Sequence, residues 1–290
     1  MTDFGQIKNY AGYVKEDPFR RGLHFPAVEE VLGDLSTKRI LDIGCGDGLF
    51  PRLLAERGAS VIGHDKAPAK IAEALEHGGA RRLDVTFAVA TPHTFAHDGV
   101  FDAATSVLVL QYATSLEELA AFFRSASRHL VPGGRFVSVV LNPSFSAFGA
   151  DFFVRRFTRL QGNKVRSEFL DRASGRVEMT AETHQYTDHE YERAAVDGEM
   201  KPEVWKKLFA TRAAVEQMGA SFWQQCHEHQ PFALFIARKS TVKIMDDKIG
   251  LEEHFATDDT LLDWCVYGRA PRSGRIGGAR HIAAVTAGLI

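Results

Sequence analysis

Cysteine is scarce in this sequence: Cys45, Cys226 and Cys265 stand alone among 290 residues, far apart and without a C-x-x-C. That spacing excludes a disulfide framework and a zinc ribbon, and it suits a reducing compartment. An excess of either charge is also missing. Lys and Arg number 35 against 37 Asp and Glu, a formal net charge of −2, so the basic excess that marks a nucleic-acid binder is absent. No apolar run approaches the roughly 18 to 20 residues of a membrane helix, and no apolar signal core follows Met1. These absences lead us to expect a cytoplasmic monomer or homodimer acting on a small molecule, with no membrane, nucleic-acid or metal partner.

What is present is the make-up of an ordinary globular protein, 45% hydrophobic and 25% charged, sufficient for one large α/β domain with appendages. Residues 1–36 read as a helical lid. Strands and helices then alternate from 37 to 240. Arg39–Ile43 is a short apolar run ending in glycines, which suits a buried parallel strand. A helix at Leu49–Arg57, a strand at Ser60–His64 and a helix at Ala69–His77 follow, each helix closed by glycine. Further strands are predicted near Val85–Ala90, at Phe101–Leu108 and, after a Pro132-Gly133-Gly134 turn, at Arg135–Leu141, with a helix at Leu116–Leu130. Such alternation implies a doubly wound sheet.

From 142 to 202 the periodicity fails over a length unsuited to a simple connection, and we read an inserted substrate cap. A helix at Glu203–Met218 is then expected, followed by strands at Ser221–His229 and Phe232–Arg238 paired across a tight turn at Gln230-Pro231. Trp205 and Phe209 would be core residues of that helix, and His227 and His229 would share one strand face. Residues 241–290 read as an extension. Within it Lys248–Phe255 resembles the opening strand of amidohydrolase-type decarboxylases, where a Glu-x-His pair (here Glu252 and His254) holds a metal. The rest of that barrel is absent from the chain.

The chemistry concentrates at Asp42-Ile43-Gly44-Cys45-Gly46-Asp47-Gly48, where the first strand meets the first helix. Glycines there permit a sharp turn and close approach of a ligand. A dinucleotide loop needs G-x-G-x-x-G, but Leu49 stands where the third glycine belongs. Asp42 suits a cationic aminoacyl tail and repels a pyrophosphate. Asp65, 19 positions after Gly46 at the end of the second strand, can accept both hydroxyls of a ribose. An adenosine ligand without phosphate at the loop satisfies all of this, and S-adenosylmethionine is such a ligand. A nicotinamide-dependent dehydrogenase is disfavoured by Leu49 and by the antiparallel end of the sheet. A non-catalytic cofactor-binding partner protein is the remaining alternative.

Ile40–Gly48 with Asp65, Phe101-Asp102, and Leu130-Val131-Pro132-Gly133-Gly134 together resemble class I S-adenosylmethionine-dependent methyltransferases over residues 1–240. Asn9-Tyr10 through Arg21, Leu108–Ala113 and Leu141-Asn142-Pro143 are most similar to toxoflavin-synthase-like natural-product methyltransferases. The resemblance implies a Rossmann-like seven-stranded sheet ending in an antiparallel hairpin, plus the inserted cap. It implies that Gly44, Cys45 and Gly46 contact the methionine part, that Asp65 holds the ribose and that Lys66 packs beside the adenine; Thr91-Pro92 stands where the family has an acid for the adenine amino group, and Leu108 is a further cofactor contact. Tyr13 would close over the cofactor, and Arg20 or Arg21 would pair with its carboxylate. At the carboxyl edge of the sheet, Gln111 and Tyr112 are candidate substrate contacts, joined by Asn142 and Phe145 after the fifth strand and Tyr186 in the cap. His184 is the candidate general base, with Tyr112 the second catalytic candidate.

Overall fold

The computed structural model describes residues 17–76 and 83–241, apart from 151, 153 and 172. A wide π-type turn, Arg20–His24, runs directly into helix α1, Phe25–Leu32. Then come β1 (Arg39–Ile43), α2 (Leu49–Glu56), β2 (Ser60–Asp65), α3 (Pro68–Glu76), β3 (Val85–Val89), β4 (Phe101–Val107), α4 (Leu116–His129) and β5 (Leu130–Leu141). A second, antiparallel sheet follows: β6 (Arg155–Arg159), β7 (Lys164–Leu170) and β8 (Val177–His184). The chain closes with α5 (Asp188–Asp197), β9 (Met200–Lys207), α6 (Arg212–Met218), α7 (Ala220–His229) and β10 (Phe232–Lys239).

The main sheet has seven strands in the order β3-β2-β1-β4-β5-β10-β9. The first five are parallel, and β10 runs antiparallel between β5 and β9. Its two faces are covered separately, as the period of two in a strand requires. On β10, Phe232, Leu234 and Ile236 join Phe19, Leu23 and Trp223 on one side. Phe235 and Ala237 join Phe123, Phe136 and Tyr191 on the other. Side-chain caps set the starts of α4 and α5. Ser115 accepts the amide of Glu118 at the head of α4, and Thr187 with Glu190 forms a capping box at α5.

Three expectations are corrected. The terminal antiparallel pair exists, but its members are β9 and β10, not two strands joined at Gln230-Pro231. Ala220–His229 is helical, and its buried residues Phe222, Trp223 and Cys226 fall at helical spacing. His227 therefore sits on a helix, where its Nε2 accepts the Ala210 amide at 3.0 Å. The predicted helix over 203–218 is half strand. Pro202 is tolerated because β9 is an edge strand, at the point where its register with β10 shifts. Trp205 stacks on Phe235, with ring centroids 4.4 Å apart, while Phe209 is exposed rather than core. Finally, the Pro132–Gly134 turn is absorbed into β5, with Gly133 at φ 78° beside a register shift against β4. Of the lid, only 17–36 are described, and the 241–290 extension lies outside the described residues beyond Thr241. No helix among the described residues is long and apolar enough to cross a membrane.

Candidate active site

The glycine loop turns sharply because Gly44, Gly46 and Gly48 all adopt positive φ, at 78°, 56° and 72°. Its backbone is pinned from two sides. The Gly44 and Cys45 amides donate to the His64 carbonyl at 2.8 and 3.0 Å. The Gly46 amide donates to Asp65 Oδ2 at 3.0 Å, and the Ala67 amide donates to Asp65 Oδ1 at 2.9 Å. A side chain on Gly44 would strike the Val109 methyls at 2.6 Å, whereas one on Gly46 would meet nothing within 4 Å. The loop is closed on its inner side and open toward the cavity.

Asp42, at the end of β1, is buried and accepts the Thr105 hydroxyl at 2.7 Å. Burial pushes its pKa up to about 7; the Thr105 hydrogen bond opposes that rise, and nearby Asp65 adds to it. Burial also raises the Cys45 thiol, whose Sγ donates to the Gly46 carbonyl at 3.8 Å within the loop. His64 is buried beneath the loop with its ring stacked on Phe95; desolvation lowers its pKa to about 4.

These groups open onto a cavity of about 580 Å³ at the carboxyl ends of β1, β2 and β4, the edge where ligands bind in open α/β sheets. Leu108, at a left-handed φ of 58°, breaks β4 into the turn Leu110–Tyr112. That break sets Val109 against Gly44 and sends Gln111 and Tyr112 to the cavity wall. Asp42, Gly44, Cys45, Gly46, Asp65, Lys66, Thr91, Pro92 and Leu108 line the same space.

The structure brings other expected residues elsewhere. Tyr13 lies outside the described residues. Arg21 is exposed, and Arg20 lines the cavity instead. Asn142 is a loop staple: its Nδ2 donates to the Gln230 carbonyl at 2.8 Å, and its Oδ1 accepts the Ser144 amide at 3.0 Å. Phe145 is buried among Phe148, Phe152 and Phe157. Tyr186 is buried, donating its hydroxyl to the Ala113 carbonyl at 2.7 Å, and burial pushes its pKa up to about 12. His184 is absent from the lining because side chains alternate along β8, and the residue that faces the cavity is Thr183.

Residues not foreseen come from the second sheet. Phe157 on β6, Ser167 and Phe169 on β7 and Thr183 on β8 line the cavity. The period-two alternation of 165, 167 and 169 was the available signal. Arg155 also lines it, with its guanidinium 3.5 Å from the centre of the Phe169 ring and ion-paired to buried Asp17. Among the described residues, no three His, Cys, Asp or Glu side chains gather as a metal site would require.

Residues 41–138 match the family described as a methyltransferase domain. A ubiquinone biosynthesis O-methyltransferase of Xanthomonas oryzae pv. oryzae (strain PXO99A) is 33% identical over 133 residues, 43% of this chain and 54% of that protein. The chain thus spans about half the length of this curated relative. Among solved structures, an S-adenosylmethionine dependent methyltransferase from Mesorhizobium loti is 25% identical with a TM-score of 0.53, covering 74% of this chain and 96% of that one. The CcbJ methyltransferase of Streptomyces caelestis reaches a TM-score of 0.59 at 16% identity over 82% of this chain and 98% of that one, a likeness of fold.

Proposed function

We propose that this chain, which carries a class I S-adenosylmethionine-dependent methyltransferase domain, transfers the methyl group of that cofactor to a small aromatic or heteroaromatic natural-product acceptor held beneath the second sheet. The observation that carries the reading is the glycine loop pinned to Asp65 and opening, at Gly46, onto a cavity that also holds Asp42. The residues present fit the cofactor. Asp65 keeps lone pairs for a ribose diol beyond the two amides it already accepts. Asp42 offers a carboxylate to a cationic aminoacyl tail, and Arg20 offers a guanidinium to that tail's carboxylate. Lys66, Thr91, Pro92 and Leu108 bound the adenine side.

When bound, the cofactor supplies a methyl group already activated on a sulfonium, so the protein's own task is alignment. Orientation of this kind is worth ~7 to 11 kcal/mol in favourable cases. The lining residues suited to it are Phe157 and Phe169 from the second sheet and Gln111 with Tyr112 from the turn after β4. Where the nucleophile carries a proton, we assign its transfer to Tyr112, which lines the same cavity.

The test is thermal unfolding with S-adenosylhomocysteine and, separately, NAD. At 100 times its dissociation constant a native-state ligand adds ~2.7 kcal/mol, about 5 to 10 °C for a domain this size. We expect a rise with S-adenosylhomocysteine alone. No rise at saturation would sink the proposal.

The raised pKa of Asp42 gives a second check. In the free protein the carboxyl holds its proton up to about pH 7, while an unfolded Asp loses it near 4. Its stabilising contribution is therefore present at low pH and lost as pH rises through 7. Cofactor binding runs the other way, because a cationic tail favours the ionised carboxylate. S-Adenosylhomocysteine affinity should fall about fivefold from pH 7 to pH 6, and calorimetry should find that slope gone in Asp42→Asn.

A further inference from the structure

We infer that Gln111 reads the acceptor, and that the group it reads is a hydrogen-bond donor and a hydrogen-bond acceptor side by side on the edge of a planar ring. This rests on the reading of the cavity as a cofactor-and-acceptor site. Gln111 sits on the turn that follows β4, only 5% exposed, and lines the cavity. Its Oε1 is buried with no hydrogen-bond partner. A buried amide oxygen left in this state is costly and rare in a folded protein, so its retention in a cavity wall points to a partner that arrives with the ligand.

The surroundings fix what that partner looks like. The turn is held against the second sheet, since Tyr186, two residues after β8, donates to the Ala113 carbonyl at 2.7 Å. Gln111 itself is packed into the cavity wall at 5% exposure. The same cavity is lined by the rings of Phe157 and Phe169, apolar surface suited to a flat ligand. A carboxamide presents one acceptor and one donor branch, and rotating it exchanges the two without losing either. Only a ligand edge carrying both kinds of group satisfies it in full. A ring amide does so; a ring bearing an acceptor alone leaves half of the carboxamide unspent.

The experiment uses full-length chain saturated with S-adenosylhomocysteine and two probes, 2-pyridone and 1-methyl-2-pyridone, titrated by ligand-observed NMR. They share ring and carbonyl and differ in the ring N–H. Wild type should bind 2-pyridone about tenfold more tightly, the size of a single well-made hydrogen bond. In Gln111→Leu the ratio should fall to about one, with S-adenosylhomocysteine affinity unchanged and the unfolding midpoint not lowered, because the orphaned amide is gone. If Gln111→Leu does not fold, Gln111→Met, of matching length, takes its place. Equal binding of the two probes by wild type, no binding of either, or a preference that survives in the variant would each overturn the assignment. Failure of S-adenosylhomocysteine to bind wild type would instead strike the cofactor reading itself, so the two failures are distinguishable.

Discussion

Asp65→Ala should weaken S-adenosylhomocysteine binding by at least about 100-fold, or roughly 2.7 kcal/mol, while leaving most of the fold intact. Two losses combine. In the proposed complex the ribose hydroxyls lose a charged acceptor, and hydrogen bonds to charged groups contribute about 1.5 to 3 kcal/mol each. The glycine loop also loses its tether, because both the Gly46 and Ala67 amides donate to this carboxylate. Asp65 is only partly buried, so water can take over the freed amides and the unfolding midpoint should drop by just a few degrees. Asp65→Asn keeps one acceptor oxygen and should fall between wild type and Asp65→Ala. Calorimetric titration of the three proteins checks the order. Equal affinity for wild type and Asp65→Ala would mean that the ligand does not meet this carboxylate.

The contrast between what the sequence disclosed and what it hid follows from the range of the interactions. Gly44, Gly46 and Asp65 were legible because their roles are written in local backbone geometry: a strand end, a forced positive φ and an acid one strand over. Neither the second sheet nor its contribution to the cavity was legible at that level. Phe157, Ser167, Phe169 and Thr183 reach the cavity only once three strands pair out of a stretch with weak hydrophobic periodicity. Parity then decides single residues, so Thr183 faces in where His184 was expected. Helical phase does the same at Arg20, which lines the cavity while Arg21 is exposed; the π-type turn there changes the angle per residue from that of an ordinary helix. The error over 220–229 has another origin. Alternating histidines mimic a strand, and the deciding signal was the Phe222, Trp223 and Cys226 stripe at helical spacing.

Breaking the ion pair between Asp17 and Arg155 should cost more stability than any substitution in the glycine-loop tether. Both side chains are almost wholly buried, at 0% and 4% exposed, and they join segments 138 positions apart. Removing one partner of such a pair costs about 3 to 5 kcal/mol, because the other charge stays desolvated. Asp17→Ala also removes the acceptor that holds the Phe19 amide at 3.0 Å, while the stacking of Arg155 on Phe169 survives it. The expected fall in unfolding midpoint is about 6 to 20 °C. Replacing both charges, as Asp17→Leu with Arg155→Met, should recover a large part of that loss, since no buried charge then remains and apolar side chains fill similar volume. The pair also connects the lead-in segment, which supplies Arg20, to the sheet that supplies Phe157 and Phe169. Loosening it should therefore weaken acceptor-side probes more than S-adenosylhomocysteine, most of whose proposed contacts lie on the main sheet. A midpoint change below about 2 °C in Asp17→Ala would show that the two segments are held together by their apolar contacts alone, and the double variant would then have nothing to restore.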